Sequence, residues 1–463
     1  MVRIFKHYIP KSLLMLGVAE AAILLLAIYA GVAVRFQTSI VDTAEDSAPL
    51  FLKALLFCVV MLTSMTAMGL YQRDLRHGLR GMFLRIGLAF VCGFVGMILL
   101  FYLFPSVFMG RGAFALGFAC ALLGVIGARL VYLKLVHRDT IKRQILVIGT
   151  GEKAALIDET LKRRTDRGGF RVVGYVAQND EEHVVSAASV LFPDVPLVDF
   201  CVRLDIDEIV VAATDRRKGF PVEEILDCKM SGIEVVDLIT FFERQAGRVM
   251  LKLLQPSWLI FSDGFGGGMA RSAFKRAFDI GASLGLLAIA WPFMLIAIVC
   301  IYAEDRGPIF YKQVRVGQNW KLFQVLKFRS MRVDAEKNGA QWATKNDSRI
   351  TRTGNVIRKL RIDELPQLLN VLRGDMSFVG PRPERPQFVE EFSKAIPFYA
   401  ERHRVKPGVT GWAQICYPYG ASEKDTMEKL QYDLYYVKNY SLFLDLAILF
   451  QTAEVILWGK GAR

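Results

Sequence analysis

Two adjacent carboxylates are the residues of this chain that are best suited to catalysis. Asp363 and Glu364 occur in Arg-Ile-Asp-Glu-Leu-Pro, which follows a run of bases and precedes leucines at helical spacing. One carboxylate could act as a nucleophile beside a phosphate, and the other could hold Mg2+ through oxygen. Alternatively, Asp363 is the N-cap of a helix and Glu364 enriches its first turn. These residues alone leave both interpretations open.

A preset arginine favours the phosphate interpretation. Arg382 lies between two prolines in Gly-Pro-Arg-Pro-Glu-Arg-Pro, and such a rigid turn suits a bidentate grip on phosphate. Further bases, including Arg358 and Arg361, accumulate just before the acidic pair. We therefore place the chemistry in the C-terminal part of the chain, in a domain predicted to cover 263–463.

Four apolar runs in the first 135 residues could position this domain on a membrane, because a bilayer crossing takes about 20 residues. They cover 12–35, 49–71, 83–104 and 112–134. Intramembrane charge can be functional, but Lys53 and Arg129 lie near span ends, from which their side chains could extend to the interface. Residues 1–135 are predicted to form a four-helix transmembrane region.

Bases in the short loops predict the orientation of these spans. The first loop carries Asp42, Glu45 and Asp46 without a base, and the third carries only Arg111. The bases concentrate before the first span, between the second and third, and after the fourth: Arg3, Lys6, Lys11, Arg73, Arg76, Arg80, Lys134, Arg138, Lys142 and Arg143. This bias places the N-terminus and everything after residue 135 in the cytoplasm.

Residues 136–262 alternate strand-like and helix-like segments, which predicts a small α/β domain with a parallel sheet. The segment 149–154 is a G-x-G-x-x-A variant between a strand and a helix. No clean acidic residue follows the second strand, and the chain contains no Tyr-x-x-x-Lys. The turn either lets the helix pack on the strand or binds a nucleotide. We expect a degenerate Rossmann-like domain and favour a structural or regulatory role.

An apolar helix at about 275–303 precedes the chemistry. Trp291-Pro292 lies at its centre, and a proline there breaks a hydrogen bond and kinks the helix. Bases flank it on both sides, including Lys275 and Arg306, and this favours a re-entrant helix that enters one leaflet and returns. The alternative is a kinked fifth span.

Composition agrees with a membrane protein. The 463 residues are 53% hydrophobic and 22% charged, whereas soluble proteins are about 45–50% apolar and about 25% charged. Seven cysteines without a CxxC pair exclude a disulfide scaffold, and five scattered histidines argue against a His/Cys zinc site. The net charge of +13 is divided between membrane loops and a phosphate-type site, so we expect no nucleic-acid partner.

Residues 271–463 resemble the bacterial sugar transferases, which are monotopic polyprenyl-phosphate phosphoglycosyl transferases. The resemblance rests on Lys275-Arg276-x-x-Asp279, the proline-broken helix, KFRSM at 327–331, RIDELPQLLNVLRGDMSFVGPRPERP at 361–386 and KPGVTGW at 406–412. With four spans and a degenerate α/β domain, the chain is similar to the large exopolysaccharide type. Its opening RIFKHYIPKSLL resembles the subgroup associated with PEP-CTERM exopolysaccharide loci.

The resemblance implies a two-step reaction. Asp363 would attack the β-phosphate of a UDP-sugar, release UMP and carry the phosphosugar as a covalent intermediate. Polyprenyl (undecaprenyl) phosphate would then accept the phosphosugar and initiate an exopolysaccharide repeat unit. Glu364 would be the Mg2+ ligand. The sugar and the oligomeric state stay open, a homodimer among the options.

The resemblance also implies roles for seven substrate-binding residues. Arg382 would contact phosphate or nucleotide, and the other members are Lys327, Arg329, Arg361, Lys275, Arg276 and Asp279. Small family members often have Ser-Pro at the helix break, whereas this chain has Trp291-Pro292. Lys275, Arg276 and Asp279 are therefore expected to serve backbone groups and the lipid phosphate. The catalytic domain would lie on the cytoplasmic face of the bacterial inner membrane, in contact with the lipid bilayer.

Overall fold

The computed structural model of the chain divides into two compact units. One comprises Met1–Val2 and Tyr8–Ala246, and the other comprises Arg3–His7 and Gly247–Arg463. We call them the N-terminal and C-terminal units. The structure describes residues 2–4, 7–9, 11–36, 49–71, 78–136, 142–161, 167, 169–178, 183–213, 220–262, 264–265, 268–335, 347, 349–417, 420 and 422–457.

Four long apolar helices occupy the positions predicted for the membrane spans. They follow two short strands, β1 (Val2–Ile4) and β2 (His7–Ile9), which pair with each other. The helices are α1 (Lys11–Phe36), α2 (Leu50–Ala67), α3 (Gly78–Leu103) and α4 (Arg111–Val136). Together with a fifth helix described below, they are long and apolar enough to cross a membrane. Among the loop charges used for orientation, Lys6, Asp42, Glu45, Asp46, Arg73, Arg76 and Arg138 lie outside the described residues.

Glu20, Lys53 and Arg129 are buried inside this bundle, so Lys53 and Arg129 do not extend outward as predicted. Arg129 Nε lies 2.7 Å from Glu20 Oε1, and Tyr71 donates a hydrogen bond of 2.5 Å to Glu20 Oε2. Lys53 is buried and donates to the carbonyl of Phe108 at 3.1 Å. Paired charge between helices costs far less than a lone charge facing lipid. The Glu20–Arg129 pair therefore joins α1 to α4.

A five-stranded parallel sheet follows the bundle, as predicted. Its strands run in the order β5-β4-β3-β6-β7, in which sequential strands extend outward from β3 on both sides. This order is that of doubly wound α/β sheets. The elements are β3 (Arg143–Ile148), α5 (Glu152–Thr160), β4 (Phe170–Val176), β5 (Val190–Leu191), α6 (Leu197–Arg203), β6 (Glu208–Val211), α7 (Val222–Met230), β7 (Glu234–Asp237) and α8 (Leu238–Ala246).

The glycine turn after β3 is explained by packing. Gly149 has φ +118°, and a Cβ there would meet the backbone of Ala212 at 3.0 Å. The carbonyl of Thr150 accepts hydrogen bonds from the backbone N–H groups of Val184 and Val185, at 2.9 and 3.2 Å. A later segment of the same domain therefore lies against this turn, and this favours the structural role.

The C-terminal unit surrounds two small sheets with helices. Strands β8 and β9 pair antiparallel, and β10 and β11 pair parallel. The elements are α9 (Pro256–Phe261), α10 (Met269–Asp305), β8 (Phe310–Val316), β9 (Leu322–Phe328), α11 (Arg352–Lys359), α12 (Gln367–Arg373), β10 (Ser377–Val379), α13 (Pro386–Ala395), β11 (Gly408–Thr410), α14 (Trp412–Cys416), α15 (Glu423–Asn439) and α16 (Leu442–Leu457).

The apolar helix α10 runs through its central proline. The predicted interruption at Pro292 is absent, because helical structure continues over all 37 residues from Met269 to Asp305. A proline removes one backbone hydrogen bond but allows helical dihedrals to continue on both sides, so a kink does not require unwinding. Trp291 and Phe293 next to it are more than half exposed.

Residues just after α8 pack on the C-terminal unit. The N–H of Val249 donates to the carbonyl of Gln431 at 3.0 Å, and Arg248 pairs with Glu428 at 2.6 Å. The indole of Trp412 donates to the carbonyl of Gly247 at 2.7 Å. We call 247–253 the strap. The predicted domain bounds 136–262 and 263–463 place it in the α/β domain, whereas its contacts place it in the C-terminal unit.

Candidate active site

The acidic pair lies in a single 3-10 turn in front of α12. Arg361 has φ +58° and begins the turn Ile362–Glu364, and α12 starts only at Gln367. Pro366, with helical dihedrals, is the residue before α12. The alternative in which Asp363 is the N-cap of a helix is therefore wrong, because the turn from Arg361 forms before the helix and contains both acidic residues.

Glu364 lies among three cations. Its Oε1 is 3.0 Å from Lys327 Nζ, 3.6 Å from Arg382 Nη2 and 3.9 Å from Arg361 Nη1. Burial would raise the pKa of Glu364, but these three charges outweigh it and hold the pKa well below its usual range. Glu364 is therefore an anion throughout the physiological pH range.

Asp363 has a different environment although it is the next residue. Burial raises its pKa to about 6, and the negative charge of Glu364 adds to this effect against Lys327, Arg358 and Arg361. Within the described part of the chain, its buried Oδ1 has no hydrogen-bond donor. An under-solvated carboxylate with a raised pKa is more nucleophilic and more weakly held than a paired one. Asp363 therefore has the properties of a reactive group, and Glu364 those of an electrostatic centre.

The strands bring Lys327 and Arg382 to this pair. Lys327 lies near the end of β9, where it is opposite Tyr311 of β8. Arg382 follows β10, which runs parallel to β11. Gly380 begins the Arg382 loop, and a Cβ there would meet the carbonyl of Lys406 at 2.3 Å, so only glycine permits this approach.

The remaining predicted substrate residues connect the two ends of α10 to other parts of the C-terminal unit. Arg329 pairs with Asp305 at the C-terminal end of the helix. At the other end, Lys275 pairs with Asp445 at 2.7 Å, and Asp279 accepts hydrogen bonds from Ser377 and Phe378. Arg276 donates to the last carbonyls of α12. These contacts make the four residues anchors of α10 within the C-terminal unit, and their roles toward substrate stay predictions.

One cation of the site is absent from the predicted site residues. Arg358, in the last turn of α11, acts on the carboxylate of Asp363, and its buried Nη1 has no hydrogen-bond partner among the described residues. In the sequence, Arg358 is only one member of a run of basic residues, and nothing distinguishes it from the others. Its spacing of five residues from Asp363 became informative once the 3-10 turn was known.

The acidic pair fits a magnesium ion. Mg2+ usually takes one or two carboxylates and completes its shell with water and substrate phosphate. Asp363 Oδ1 has no donor, and Glu364 is anionic beside it, so both could supply oxygen. Among the described residues, no three acidic, histidine or cysteine side chains form a metal cluster, so a metal here would depend on substrate oxygens.

The arrangement is typical of an enzyme that handles phosphate at a membrane. A buried carboxylate of raised pKa lies beside a charged carboxylate, four cations surround the pair, and the same unit carries a long apolar helix. Positive charge of this density stabilises the phosphate oxygens of a group in transfer.

Comparisons with known proteins define the class more closely. The family model of the bacterial sugar transferases matches residues 270–459, and a model described as a CoA-binding domain matches 66–213. The chain is 45% identical over 240 residues to the UDP-N-acetylgalactosamine-undecaprenyl-phosphate N-acetylgalactosaminephosphotransferase of Aeromonas hydrophila. The aligned residues are 51% of this chain and 55% of that protein. It is 47% identical over 197 residues to the UDP-glucose:undecaprenyl-phosphate glucose-1-phosphate transferase of Xanthomonas campestris pv. campestris. The aligned residues are 42% of this chain and 40% of that protein.

A shorter relative is matched almost throughout. The exopolysaccharide production protein PSS of Rhizobium leguminosarum bv. phaseoli is 42% identical over 194 residues, which are 40% of this chain and 97% of that protein. The chain belongs to the bacterial sugar transferase family, as its motifs predict. Over the two larger relatives, the match spans about half of their length.

Proposed function

We propose that the protein is a polyprenyl-phosphate phosphoglycosyl transferase that moves a sugar 1-phosphate from a UDP-sugar to undecaprenyl phosphate. The observation that carries this proposal is the contrast within the acidic pair. Asp363 is buried with an oxygen that lacks a donor, and Glu364 is surrounded by Lys327, Arg361 and Arg382. The names of the relatives support the sugar phosphate and the lipid acceptor.

The first step forms a covalent intermediate. A carboxylate oxygen of Asp363 attacks the β-phosphorus of the UDP-sugar, and the bond from that phosphorus to the bridging oxygen breaks. UMP leaves with the bridging oxygen, and the sugar phosphate stays on Asp363 as an acyl phosphate. In the second step an oxygen of undecaprenyl phosphate attacks the same phosphorus, and the Asp363 carboxylate is regenerated. The split into two displacements lets one site handle two anionic substrates in turn.

The basic residues assist both displacements. Arg382 and Lys327 neutralise phosphate oxygens as charge develops, and Arg358 and Arg361 favour the anionic form of Asp363. Glu364 and Asp363 would hold Mg2+, which supplies further charge neutralisation when bound.

Helix α10 supports a re-entrant topology. A straight helix from Arg276 to Glu304 would span about 42 Å at about 1.5 Å per residue. At one end Asp279 binds Ser377 and Phe378, and at the other Glu304 accepts hydrogen bonds from the start of α11 at 2.8 and 3.0 Å. Both ends thus contact the same unit, while the apolar middle is exposed. A continuous helix that bends at Pro292 within one leaflet, without a break in its helical structure, would place Asp363 at the cytoplasmic surface of the inner membrane.

The product released from the nucleotide tests the proposal. Purified protein is incubated with Mg2+, undecaprenyl phosphate and either UDP-glucose or UDP-N-acetylgalactosamine, and nucleotides are separated by chromatography. We expect UMP and a lipid diphosphate sugar from at least one donor. Release of UDP would mean transfer of the sugar without its phosphate and would contradict the proposal.

A further inference from the structure

The loop that carries Arg382 is bound through four consecutive carbonyl groups. The carbonyl of Pro381 accepts from the N–H of Gly408 at 2.9 Å, and that of Glu384 accepts from the N–H of Val316 at 3.0 Å. Arg402 Nη2 donates to the carbonyl of Arg382 at 2.9 Å. Arg315 Nη1 donates to the carbonyl of Pro383 at 3.0 Å. Each carbonyl thus has a donor from outside the loop.

Arg402 is itself fixed by a buried network. Its guanidinium lies 2.8 Å from Asp433 and donates to the hydroxyl of Tyr399 at 2.7 Å. Arg402 and Asp433 are buried. A guanidinium presents several donors in one plane, so one side chain can bind the carboxylate, the hydroxyl and the carbonyl together.

Arg315 fixes the loop from the other side. It also contacts the Glu384 carboxylate at 3.3 Å and donates to Gln313 Oε1 at 2.6 Å. Gln313 in turn donates to the hydroxyl of Tyr311, the residue opposite Lys327 in the sheet. The strand that faces Lys327 thus also holds the Arg382 loop.

The prolines alone cannot fix the direction of the loop. Pro381 and Pro383 set their own φ, but ψ turns each carbonyl and the residue that follows it. A hydrogen bond on the carbonyl of Arg382 fixes that ψ. Since the Arg382 guanidinium lies 3.6 Å from Glu364, a small rotation here would move it relative to the phosphate site.

We propose that Arg402 and Arg315 are positioning residues, whose guanidinium groups hold the loop carbonyls and thereby aim Arg382 at the phosphates of the nucleotide. The inference rests on the proposed function, because it assigns Arg382 to the nucleotide substrate. Neither residue touches the acidic pair directly in the contacts described. Both act on the reaction only through the position of Arg382.

A double-mutant cycle on UDP affinity tests this. The dissociation constant of UDP is measured by calorimetry for the full chain, for Arg402→Lys, for Arg382→Ala and for the double variant. Arg402→Lys keeps a positive charge beside Asp433 but cannot bind all three partners. We expect it to weaken UDP binding by about tenfold, and by less than about twofold when Arg382 is already alanine, since residues in one network are not additive. If Arg402→Lys weakens UDP binding by the same factor with Arg382 present and with alanine at that position, the proposal is overturned.

A matched control and a second route keep the outcome clear. Arg244→Lys alters another buried arginine, which pairs with Glu208 in the N-terminal unit, and should leave UDP affinity unchanged. An equal loss in this control would mean general destabilisation and overturn the proposal. If Arg402→Lys does not fold, Arg315→Lys enters the same cycle with the same expectation. Wild-type protein that fails to bind UDP at all would instead refute the proposed function.

Discussion

The replacement Asp363→Asn should make the protein more stable while it removes turnover. The wild-type carboxylate is buried next to the charged Glu364, and its Oδ1 lacks a donor among the described residues. An amide of the same shape carries no charge to desolvate. It also cannot form an acyl phosphate, so the gain in stability and the loss of activity have one cause.

The expected gain follows from the pKa of Asp363. Burial, and then the charge of Glu364, raise this pKa from 3.8 to about 6. At 1.36 kcal/mol per unit, the rise corresponds to about 3 kcal/mol of free energy that the charged form costs the folded state. Because the folded-state pKa is raised, the cost is complete above pH 6, shrinks as the pH falls through 6 and vanishes below about 4. The gain in stability of Asp363→Asn over the wild type should therefore be largest at pH 7–8.

Thermal unfolding of the detergent-solubilised protein measures this gain. With EDTA present, only the charges of the protein act. About 3 kcal/mol should raise the Tm by roughly 6–12 °C for a domain of this size. The control is Asp279→Asn, whose buried carboxylate accepts two hydrogen bonds and should lose stability instead. An Asp363→Asn variant with lower Tm at pH 8, or with turnover within about tenfold of wild type, a barrier change of only about 1.4 kcal/mol, would refute the reasoning.

Three further predictions concern the metal, the strap and the topology. Glu364→Gln should slow UMP release and flatten its dependence on Mg2+, since the anionic oxygen is lost; an unchanged titration would place the metal elsewhere. A fragment 247–463 should stay on membranes and release UMP, and it should melt above fragment 265–463, which lacks the strap contacts; a folded but inactive 247–463 would contradict the modular view. Single cysteines at Ser272 and Arg306, in a background without other cysteines, should react with an impermeant thiol reagent only from the cytoplasm, and periplasmic labelling at Arg306 would reveal a crossing.

Local patterns predicted the elements of the fold. The apolar runs at 12–35 and 112–134 became α1 and α4, and the glycine turn at 149 follows a parallel strand. Hydrophobicity and strand–turn–helix order act over a few residues, so one sequence displays them. The partner of Arg129 is Glu20, which is 109 residues away, and no local pattern connects them.

The candidate site shows the same limit. The sequence predicted that Asp363, Glu364 and Arg382 belong to one phosphate-type site, and the structure brings them together. It left open whether Asp363 caps a helix, because an arginine in the sequence gives no sign of the positive φ with which Arg361 starts the 3-10 turn. It also grouped Arg329 with the substrate residues, which stays a prediction, but it gave no sign of the ion pair between Arg329 and Asp305 at the end of α10.

Trapping the covalent intermediate tests the central claim most directly. The protein is mixed with a UDP-sugar and Mg2+ in the absence of undecaprenyl phosphate, quenched, digested and analysed by mass spectrometry. We predict one sugar-phosphate adduct on the peptide that contains Asp363, UMP equal to the adduct, and discharge of the adduct when undecaprenyl phosphate is added. Full turnover with no adduct, or an adduct on a different residue, would contradict the assignment of Asp363 as the nucleophile.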